Sequence, residues 1–340
     1  MGEALEIVRT LVSPTMKLMD MVGGAIGTLY EPRHKRKMAD ATAHEINVIG
    51  EAMRNAADMP IVYDQNGMAI NSQDFSRLMQ RAGTHLLLQE TIKQHNIESV
   101  IDNAYEILEK EEVCSEEPVE QGWINRFFDS VSDVSDEDLR KLWGKVLAGE
   151  IKQPKSYSLR TLETLKNLSK YEAELFQKIT PCILTLGKNL FLPSDNELLE
   201  KYGIMYGEII ALDECGLINS SGLVSLNPPV SDTNLITIYN RSKLIMLHGL
   251  VTNEEKISIG EFGLTKAGKE LFHILDCNSN DEYICDFAEK VANQNSKKIK
   301  VTVHKINFID FDGIDYEDTV LKEFPSINET SKQQELTTTS

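Results

Sequence analysis

Residues 123–179 read WINRFFDSVSDVSDEDLRKLWGKVLAGEIKQPKSYSLRTLETLKNLSKYEAELFQKI and contain the strongest helix signals of the chain. Ser135 precedes three acidic residues, so we expect it to cap a helix whose acidic first turn suits the helix dipole. Apolar residues follow at helical spacing and form one wide face: Leu139, Leu142, Trp143, Val146 and Leu147. Gly149 and Pro154 mark where this amphipathic helix ends.

Two more helices are predicted in the same stretch. Ser158 can cap one that carries leucines at helical spacing, and Ser169 with Glu172 can form a capping box for the next. The aromatic residues also recur at helical spacing, which is typical of core packing: Trp123, Phe127, Phe128 and Trp143. The stretch therefore predicts a compact, all-helical unit.

The residues before this unit favour long helices. A helix is predicted from Lys37 to Ala57, and a longer run starts at a cap on Ser72 and keeps helical apolar spacing to Leu108. Long helices joined by short polar loops are typical of antiparallel bundles or of coiled-coil packing. A run of glutamates between residues 106 and 120 indicates a solvated helix end and linker.

Downstream of Pro181 the pattern changes to short β-rich pieces. A helix is predicted from Asn196 to Leu212, with Gly216 placed to stop it, and Thr265 can cap a later helix. Short strands are predicted between these helices, at residues 224–226, 235–239, 244–247 and 257–259. This order of helices and strands is that of a winged-helix module.

Together these patterns predict a mainly α protein, in which a helical N-terminal and central bundle is followed by a smaller α+β winged-helix-like domain. The predicted parts are 1–117 with long helices, 118–182 as the central helical unit, 183–278 as the winged-helix-like domain, 279–325 as an α+β extension and 326–340 as a disordered tail. Within the first part, residues 1–37 are a candidate for a segment that faces a membrane or a partner.

Charge and cysteine content limit the classes of function. Acidic residues exceed basic ones by 53 − 35 = 18, which gives a net charge of −18. So much negative charge repels nucleic acid and anionic lipid unless a local basic patch offsets it. The five cysteines form no CxxC pair and no signal peptide is visible, so a cytoplasmic location is predicted, with membrane association left open.

The N-terminal segment is a candidate surface. Residues 11–29 are apolar and rich in methionine and glycine, and four cations follow at once: Arg33, Lys35, Arg36 and Lys37. Such a segment can be an interfacial anchor whose cations contact headgroups or other anions. It can also be a helical hairpin packed on the fold with its cations in water. The hairpin is the favoured interpretation, and the anchor stays open.

One charged pair in the central unit points to a structural role. Glu150 and Arg160 flank the loop between two predicted helices, so they could form a bidentate ion pair. An isolated arginine on the apolar side of SLRTLETL would be costly to bury. We interpret the pair as fixing the angle between the helices, and a ligand-facing charge pair is the alternative.

Catalytic and cofactor motifs are absent from the sequence, which has no GxxxxGK[ST], no GxSxG and no HExxH. We therefore predict no catalytic, cofactor-binding or metal-binding residue and no small-molecule ligand, which favours a non-enzymatic protein. His248, His273 and His304 could meet in space, but solvent-facing or capping roles are more common for histidine. In a winged helix, residues 196–212 would read DNA, and their glutamates outnumber a single lysine, so duplex binding is disfavoured.

Three stretches carry a resemblance to an uncharacterised bacterial family whose function is unknown. They are GTLYEPRHKRKMADA at 27–41, QRAGTHLLLQETIKQHNIESVIDNA at 80–104, and the stretch that starts at Trp123. The resemblance covers about residues 27–275, and it implies no catalytic residues. The pattern LWxxVLAGE…SLRTLxxLxxLSxxEA is also similar, more weakly, to the abortive-infection alpha family, which implies a place in bacterial anti-phage defence.

The leading hypothesis is therefore a non-enzymatic interaction or regulatory protein in anti-phage defence, acting through a protein partner or through self-association. The first alternative is a membrane-acting effector that inserts residues 11–29 and holds headgroups with the four cations. The second alternative is a winged-helix regulator that binds nucleic acid.

Overall fold

The structure, a computed structural model, describes residues 13–26, 72–220, 226–252, 254–275, 278–310 and 313–324. The chain divides into two compact units, residues 1–162 and 163–340. The division falls inside the segment 118–182, which the sequence analysis treats as one unit. The predicted tail at 326–340 and the predicted helix at 37–57 lie outside the described residues.

The first unit is helical in its described residues. Its elements are α1 (Pro14–Ile26), α2 (Ser72–Leu108), α3 (Gln121–Val131), α4 (Glu137–Lys152) and the start of α5 (Leu159–Asn167), which crosses into the second unit. The predicted end of the long run at Leu108 is confirmed, and Ser72, which was predicted to cap the run, is the first residue of the helix. One cap is corrected: Asp136, not Ser135, is the N-cap of α4, and its side chain accepts hydrogen bonds from Asp138 N and Leu139 N.

The core of the first unit forms where the sequence places its aromatic cluster. Phe127 stacks on Trp123 at 5.0 Å between ring centroids and meets Trp143 edge-on at 5.4 Å. Trp123 Nε1 donates to the carbonyl oxygen of Tyr157 at 2.9 Å, so the one polar atom of this indole is satisfied inside the core. The predicted structural role of these rings is confirmed.

The second unit combines helices with many short strands. After α6 (Lys170–Ile179) the elements are β1 (Leu184–Leu186), β2 (Asn189–Pro193), α7 (Asn196–Lys201), α8 (Tyr206–Glu214), β3 (Ile218–Asn219), β4 (Pro229–Val230), β5 (Leu235–Tyr239), β6 (Lys243–Gly249), β7 (Glu255–Lys256), β8 (Glu261–Leu264), α9 (Lys266–Phe272), α10 (Asp281–Gln294), β9 (Ile299–Ile309), β10 (Ile314–Tyr316) and β11 (Lys322–Phe324).

These strands form one large antiparallel sheet, so the prediction of a mainly α protein is wrong and the fold is α+β. In the described residues the sheet has nine strands in the order β10–β9–β6–β5–β1–β2–β8–β3, with β11 also beside β9. Strands β4 and β7 pair separately. The longest strand, β9, alternates so that Ile299, Val301 and Val303 are buried on one face, against α10.

The sheet also overturns the winged-helix interpretation, because it is much larger than the small sheet of such a module. The predicted extension at 279–325 supplies β9, β10 and β11 to the same sheet, and β9 pairs with β6 over seven residues. The predicted helix at 196–212 is two helices, α7 and α8, separated by a turn in which Gly203 has φ +74°. A positive φ favours glycine, so the turn is encoded by that residue.

Several predicted caps of this unit are confirmed. Ser169 and Glu172 form the capping box of α6, and Thr265 accepts from Gly268 N at the start of α9. Gly216 ends α8 with φ +77°, and the amides of Gly216 and Leu217 donate to the carbonyl oxygens of Asp213 and Leu212. This is the Schellman arrangement of a helix C-terminus.

Candidate interaction surface

The two halves of α2 have different surroundings. In the second half Val100, Ile101, Ala104 and Leu108 are fully buried, and the helix packs along α4. In the first half the residues from 77 to 92 are almost all exposed. The same helix therefore has a covered half and an exposed half.

The exposed half carries a concentration of apolar side chains, which we call the α2 stripe: Leu78, Met79, Ala82, Leu86, Leu88 and Ile92. Its five large members are each between 50% and 59% exposed. At 1.5 Å per residue the stripe is about 21 Å long. The stripe is broad, because Leu86 and Leu88 lie about 160° apart around the helix axis, so its members cover about half of the helix circumference. Single exposed apolar residues are ordinary on protein surfaces, but a concentration of them marks an interaction site.

The opposite side of the same helical segment is polar, and its threonine hydroxyls form hydrogen bonds within the helix. The Thr84 hydroxyl donates to the carbonyl oxygen of Gln80 at 2.9 Å, and the Thr91 hydroxyl donates to that of Leu87 at 2.8 Å. Both hydroxyls thus bond to their own helix one turn earlier. The exposed half of α2 is amphipathic, with an apolar side that faces solvent.

Charges along the exposed half are mostly positive. Residues 77–95 contain Arg77, Arg81 and Lys93 against Glu90, a sum of 3 − 1 = +2 in a chain of net charge −18. Lys93 Nζ lies 2.9 Å from the Glu90 carboxylate, and this hydrogen bond raises the pKa of Lys93. The arginines lie one turn apart near the start of the helix, so that end carries the positive charge.

The helix α1, which belongs to the predicted anchor segment, is tied to the first unit. Lys17 Nζ donates to the carbonyl oxygens of Ser115, Glu117 and Ile151 at 2.8, 2.6 and 3.1 Å. Its neighbours Leu18 and Val22 are fully buried. Burial lowers the pKa of Lys17, and the nearby Glu117 and Glu150 charges oppose that shift. The described part of the segment thus uses its apolar face for packing.

The four predicted contact cations, Arg33, Lys35, Arg36 and Lys37, lie outside the described residues, so their part in a membrane or anion contact stays a prediction. In the ranges that the structure describes, none of the helices combines the length and the apolar character needed to cross a bilayer.

The structure places Glu150 and Arg160 in different surroundings. Glu150 is buried, and its Oε1 and Oε2 accept hydrogen bonds from Lys155 N at 2.6 Å and Tyr157 N at 3.0 Å. Arg160 lies on the exposed side of α5. The carboxylate therefore holds the loop between α4 and α5 through backbone amides, whereas the sequence interpretation assigned the fixing of the two helices to the Glu150–Arg160 pair. Lys155, with φ +71°, lies at the bend of this loop.

The sequence suggested that His248, His273 and His304 could meet in space. Two of them, His248 and His304, contact the same threonine on the sheet. The Thr302 hydroxyl lies 3.2 Å from His248 Nε2 and 3.0 Å from His304 Nε2, while His304 Nδ1 lies 3.1 Å from the carbonyl oxygen of Glu317. A carbonyl oxygen only accepts, so neutral His304 donates from Nδ1 and accepts from Thr302 at Nε2. Burial lowers the pKa of His248, and the charge of Lys300 lowers it further. Across the described ranges, His, Cys, Asp and Glu side chains form no group of three that could hold a metal ion.

The helices predicted to read DNA have their lysine engaged within the protein. Lys201 Nζ lies 2.5 Å from Asp286 Oδ2, which also accepts a 2.5 Å hydrogen bond from the Tyr202 hydroxyl. Burial raises the pKa of Asp286, but the bonds to Lys201 and Tyr202 outweigh it, so that the pKa is lowered overall. A phosphate group that bound Lys201 would have to displace the Asp286 carboxylate.

The α2 stripe is the feature that sequence reasoning missed. The helical spacing of its residues was recognised, but they were assigned to a core. A signal was present at Leu86, Leu87 and Leu88, because three consecutive residues of a helix point in directions about 100° apart and cannot all face one core.

Comparisons with known proteins give one match. The sequence model of a family described as "Protein of unknown function (DUF2806)" matches residues 80–288. These residues include most of the α2 stripe and extend into α10. Searches of curated proteins and of solved structures found no match.

Proposed function

We propose that this chain, which belongs to the DUF2806 family of proteins of unknown function, is a non-enzymatic interaction protein that pairs with a second copy of itself through the α2 stripe. The observation that carries the proposal is the row of five large apolar side chains, each at least half exposed, on one helix. A short helical segment without packing on its apolar side is only marginally stable in water. Covering that side with another helix removes apolar surface from water and stabilises both partners.

The spacing of the stripe supports a second copy as the occupant. Met79 and Ile92 lie equally far from the midpoint between His85 and Leu86. A two-fold contact requires a surface that is complementary to itself. Two antiparallel copies of α2 with the axis at this midpoint would set Met79 of each copy level with Ile92 of the other, with Leu86 beside the axis.

Charge also supports this occupant. Two copies that each carry a net charge of −18 repel at long range, so a pair needs opposite charges placed close together at its interface. In an antiparallel pair with the axis at this midpoint, Arg81 of one copy is level with Glu90 of the other, which places opposite charges at the same height of the interface.

For the biological setting we propose anti-phage defence of the abortive-infection kind. Its support is the resemblance of the pattern LWxxVLAGE…SLRTLxxLxxLSxxEA at 142–173 to the abortive-infection alpha family. An interaction protein with a self-complementary surface suits a role in which assembly is the response to infection.

Two observations rank this proposal above the sequence-based alternatives. A membrane-acting effector would need the apolar face of α1, whose Leu18 and Val22 are buried while Lys17 bonds to three carbonyl oxygens. A nucleic-acid regulator would need free cations on α7, whose Lys201 is paired with Asp286.

The test is the oligomeric state of the full chain in solution, measured by sedimentation velocity. We expect wild type to be a dimer at about 10 µM, as a micromolar dissociation constant requires. The double variant Met79→Ser with Leu86→Ser removes two apolar members of the stripe and should be a monomer. The matched control, Gln80→Ser with Thr84→Ser, changes the polar side of the same turns and should stay a dimer. Circular dichroism of each variant checks that the helices remain folded.

Wild type that sediments as a monomer at about 100 µM would overturn self-association, and the stripe would then be covered by another protein or by other residues of this chain. A dimer that survives the double variant would overturn the stripe as its interface. The defence role has its own readout: phage plating on cells with and without the gene should show protection that the double variant loses and the control keeps.

A further inference from the structure

A small polar pocket lies at the end of the sheet in the second unit, where β2, β8 and β3 meet the start of α9. Its volume is about 360 Å³. The residues that line it are Asn189, Leu190, Asn219, Glu261, Gly263, Leu264, Thr265 and Lys269. Pockets that hold small ligands usually start near this size and combine apolar walls with a few polar groups.

Gly263 keeps the middle of this region open. It lies on β8 between Asn219 of β3 and Phe191 of β2, the residues paired with it on either side. A Cβ at this position would meet no atom within 4 Å. The absence of a side chain therefore leaves free space above the sheet, two residues along the strand from Glu261.

Glu261 is the feature that the fold alone does not explain. It is only 9% exposed, and within the described residues its carboxylate has neither a hydrogen-bond donor nor an ion-pair partner within bonding distance. Burial raises the pKa of this carboxyl, and Lys269 lowers it through space. A carboxylate of a mostly buried side chain on the wall of a pocket can accept hydrogen bonds from a ligand.

A second charged residue, Lys269, lines the same pocket. Lys269, in α9, forms no ion pair within 4.0 Å among the described residues. The neighbouring charges of α9 pair with each other instead, as Lys266 Nζ lies 3.7 Å from Glu270 Oε1. Thr265 is already occupied, because its hydroxyl donates to the carbonyl oxygen of Gly216 at 2.6 Å and accepts from Gly268 N. The pocket thus offers one carboxylate and one ammonium that do not satisfy each other.

We propose that this pocket binds a small zwitterion of the amino-acid class, whose ammonium contacts Glu261 and whose carboxylate contacts Lys269. The two amide side chains, Asn189 and Asn219, lie at its exposed rim and can hydrogen-bond the rest of the ligand. Charge-assisted hydrogen bonds of this kind are stronger than neutral ones, and one ligand would satisfy both the Glu261 carboxylate and the Lys269 ammonium. The sequence predicted no small-molecule ligand, because no motif joins residues that lie on three strands and a helix. This proposal does not depend on self-association through the α2 stripe.

The experiment is isothermal titration calorimetry of the full chain with glycine, β-alanine and 4-aminobutyrate, which separate the two charges by increasing distances. Ethylammonium and acetate are the single-charge probes. We expect at least one zwitterion to bind with a dissociation constant below about 10 mM and at least tenfold more tightly than either single-charge probe. The preferred zwitterion then reports the distance between the two charged groups.

Substitutions of Glu261 and Lys269 test whether both charged side chains contribute to binding. Glu261→Gln and Lys269→Met should each weaken binding of the preferred zwitterion at least tenfold. The matched controls on α9, Lys266→Met and Glu270→Gln, remove the same two kinds of charge outside the pocket and should leave it unchanged. No saturable binding of any zwitterion, or binding that Glu261→Gln leaves intact, would overturn the proposal. Melting temperatures of all four variants show that each is folded when titrated.

Discussion

Lys17 Nζ donates a hydrogen bond to the carbonyl oxygen of Ile151 at 3.1 Å, and this bond joins α1 to the last turn of α4. The last carbonyl oxygens of a helix lack partners within the helix, and a cation near them is favoured by the helix dipole. The same ammonium also holds the loop at 115–117 through two carbonyl oxygens. Lys17 thus cross-links three segments of the first unit: α1, α4 and the loop at 115–117.

We expect Lys17→Met to lower stability by about 1–2 kcal/mol, because it keeps the apolar stem and leaves three carbonyl oxygens without this donor. Thermal denaturation followed by circular dichroism should show a lower melting temperature. Lys141→Met is the control, since Lys141 is exposed on α4 and contacts Asp138 at 3.7 Å. A melting temperature equal to that of wild type would mean that α1 is held by its apolar residues alone.

Gly144 allows α2 and α4 to approach closely. A Cβ at Gly144 would lie 2.5 Å from Asn103 Cβ and 3.2 Å from Ala104 N. We expect Gly144→Ala to destabilise the protein by about 1–3 kcal/mol through overpacking. Gly207→Ala is the matched control, because Gly207 lies in α8 with nothing within 4 Å of a Cβ, so alanine there should be neutral or stabilising. Equal melting temperatures for the two variants would contradict the close crossing.

The loop after α4 depends on Glu150. Both of its carboxylate oxygens accept backbone amides, from Lys155 and Tyr157, in a buried position. Glu150→Ala leaves these amides without that acceptor, so we expect a loss of about 2–3 kcal/mol in the free energy of unfolding. Arg160→Ala removes an exposed side chain and should change stability by less than about 0.5 kcal/mol. Urea denaturation of both variants checks this, and a large loss for Arg160→Ala would restore the ion pair that the sequence suggested.

Local features of this chain follow from its sequence far better than non-local ones do. The bounds of α2, the capping box at Ser169 and the stop at Gly216 depend on residues within a few positions of each other. The nine-stranded sheet depends on pairings such as β6 with β9, whose partner residues lie 50 to 62 positions apart (299 − 249 = 50 and 305 − 243 = 62). Most of the other strands are only two to five residues long, which is too short to show a strong period.

The two candidate sites were hidden for the same reason. Helical spacing shows which residues of α2 share a face, but only the positions of the other helices decide that Leu78 and Leu86 stay exposed while Val100 is buried. The pocket is assembled from separate strands, and its key position, Gly263, is recognised only from its neighbours. Exposure and convergence are properties of the packed chain and not of any window of sequence.

The pH dependence of stability should report the mostly buried carboxyl of Glu261. Burial raises the pKa of Glu261 above its ordinary value of 4.5, so the folded state binds this proton more tightly than the unfolded state does. The stability that the protonated group contributes is complete below pH 4.5 and is lost as the pH rises through the raised pKa. Glu261→Gln cannot lose a proton. We therefore expect the melting temperature of this variant, minus that of wild type, to increase as the pH is raised from 4 to 7.

Lys269→Met removes the positive charge that lowers the pKa of Glu261. Wild type and Lys269→Met should therefore diverge over the same pH range, and the variant should lose more stability at the upper end. A difference between Glu261→Gln and wild type that stays constant with pH, or that shrinks, would show that the carboxyl is solvated or paired, and the pocket would then lack its buried charge.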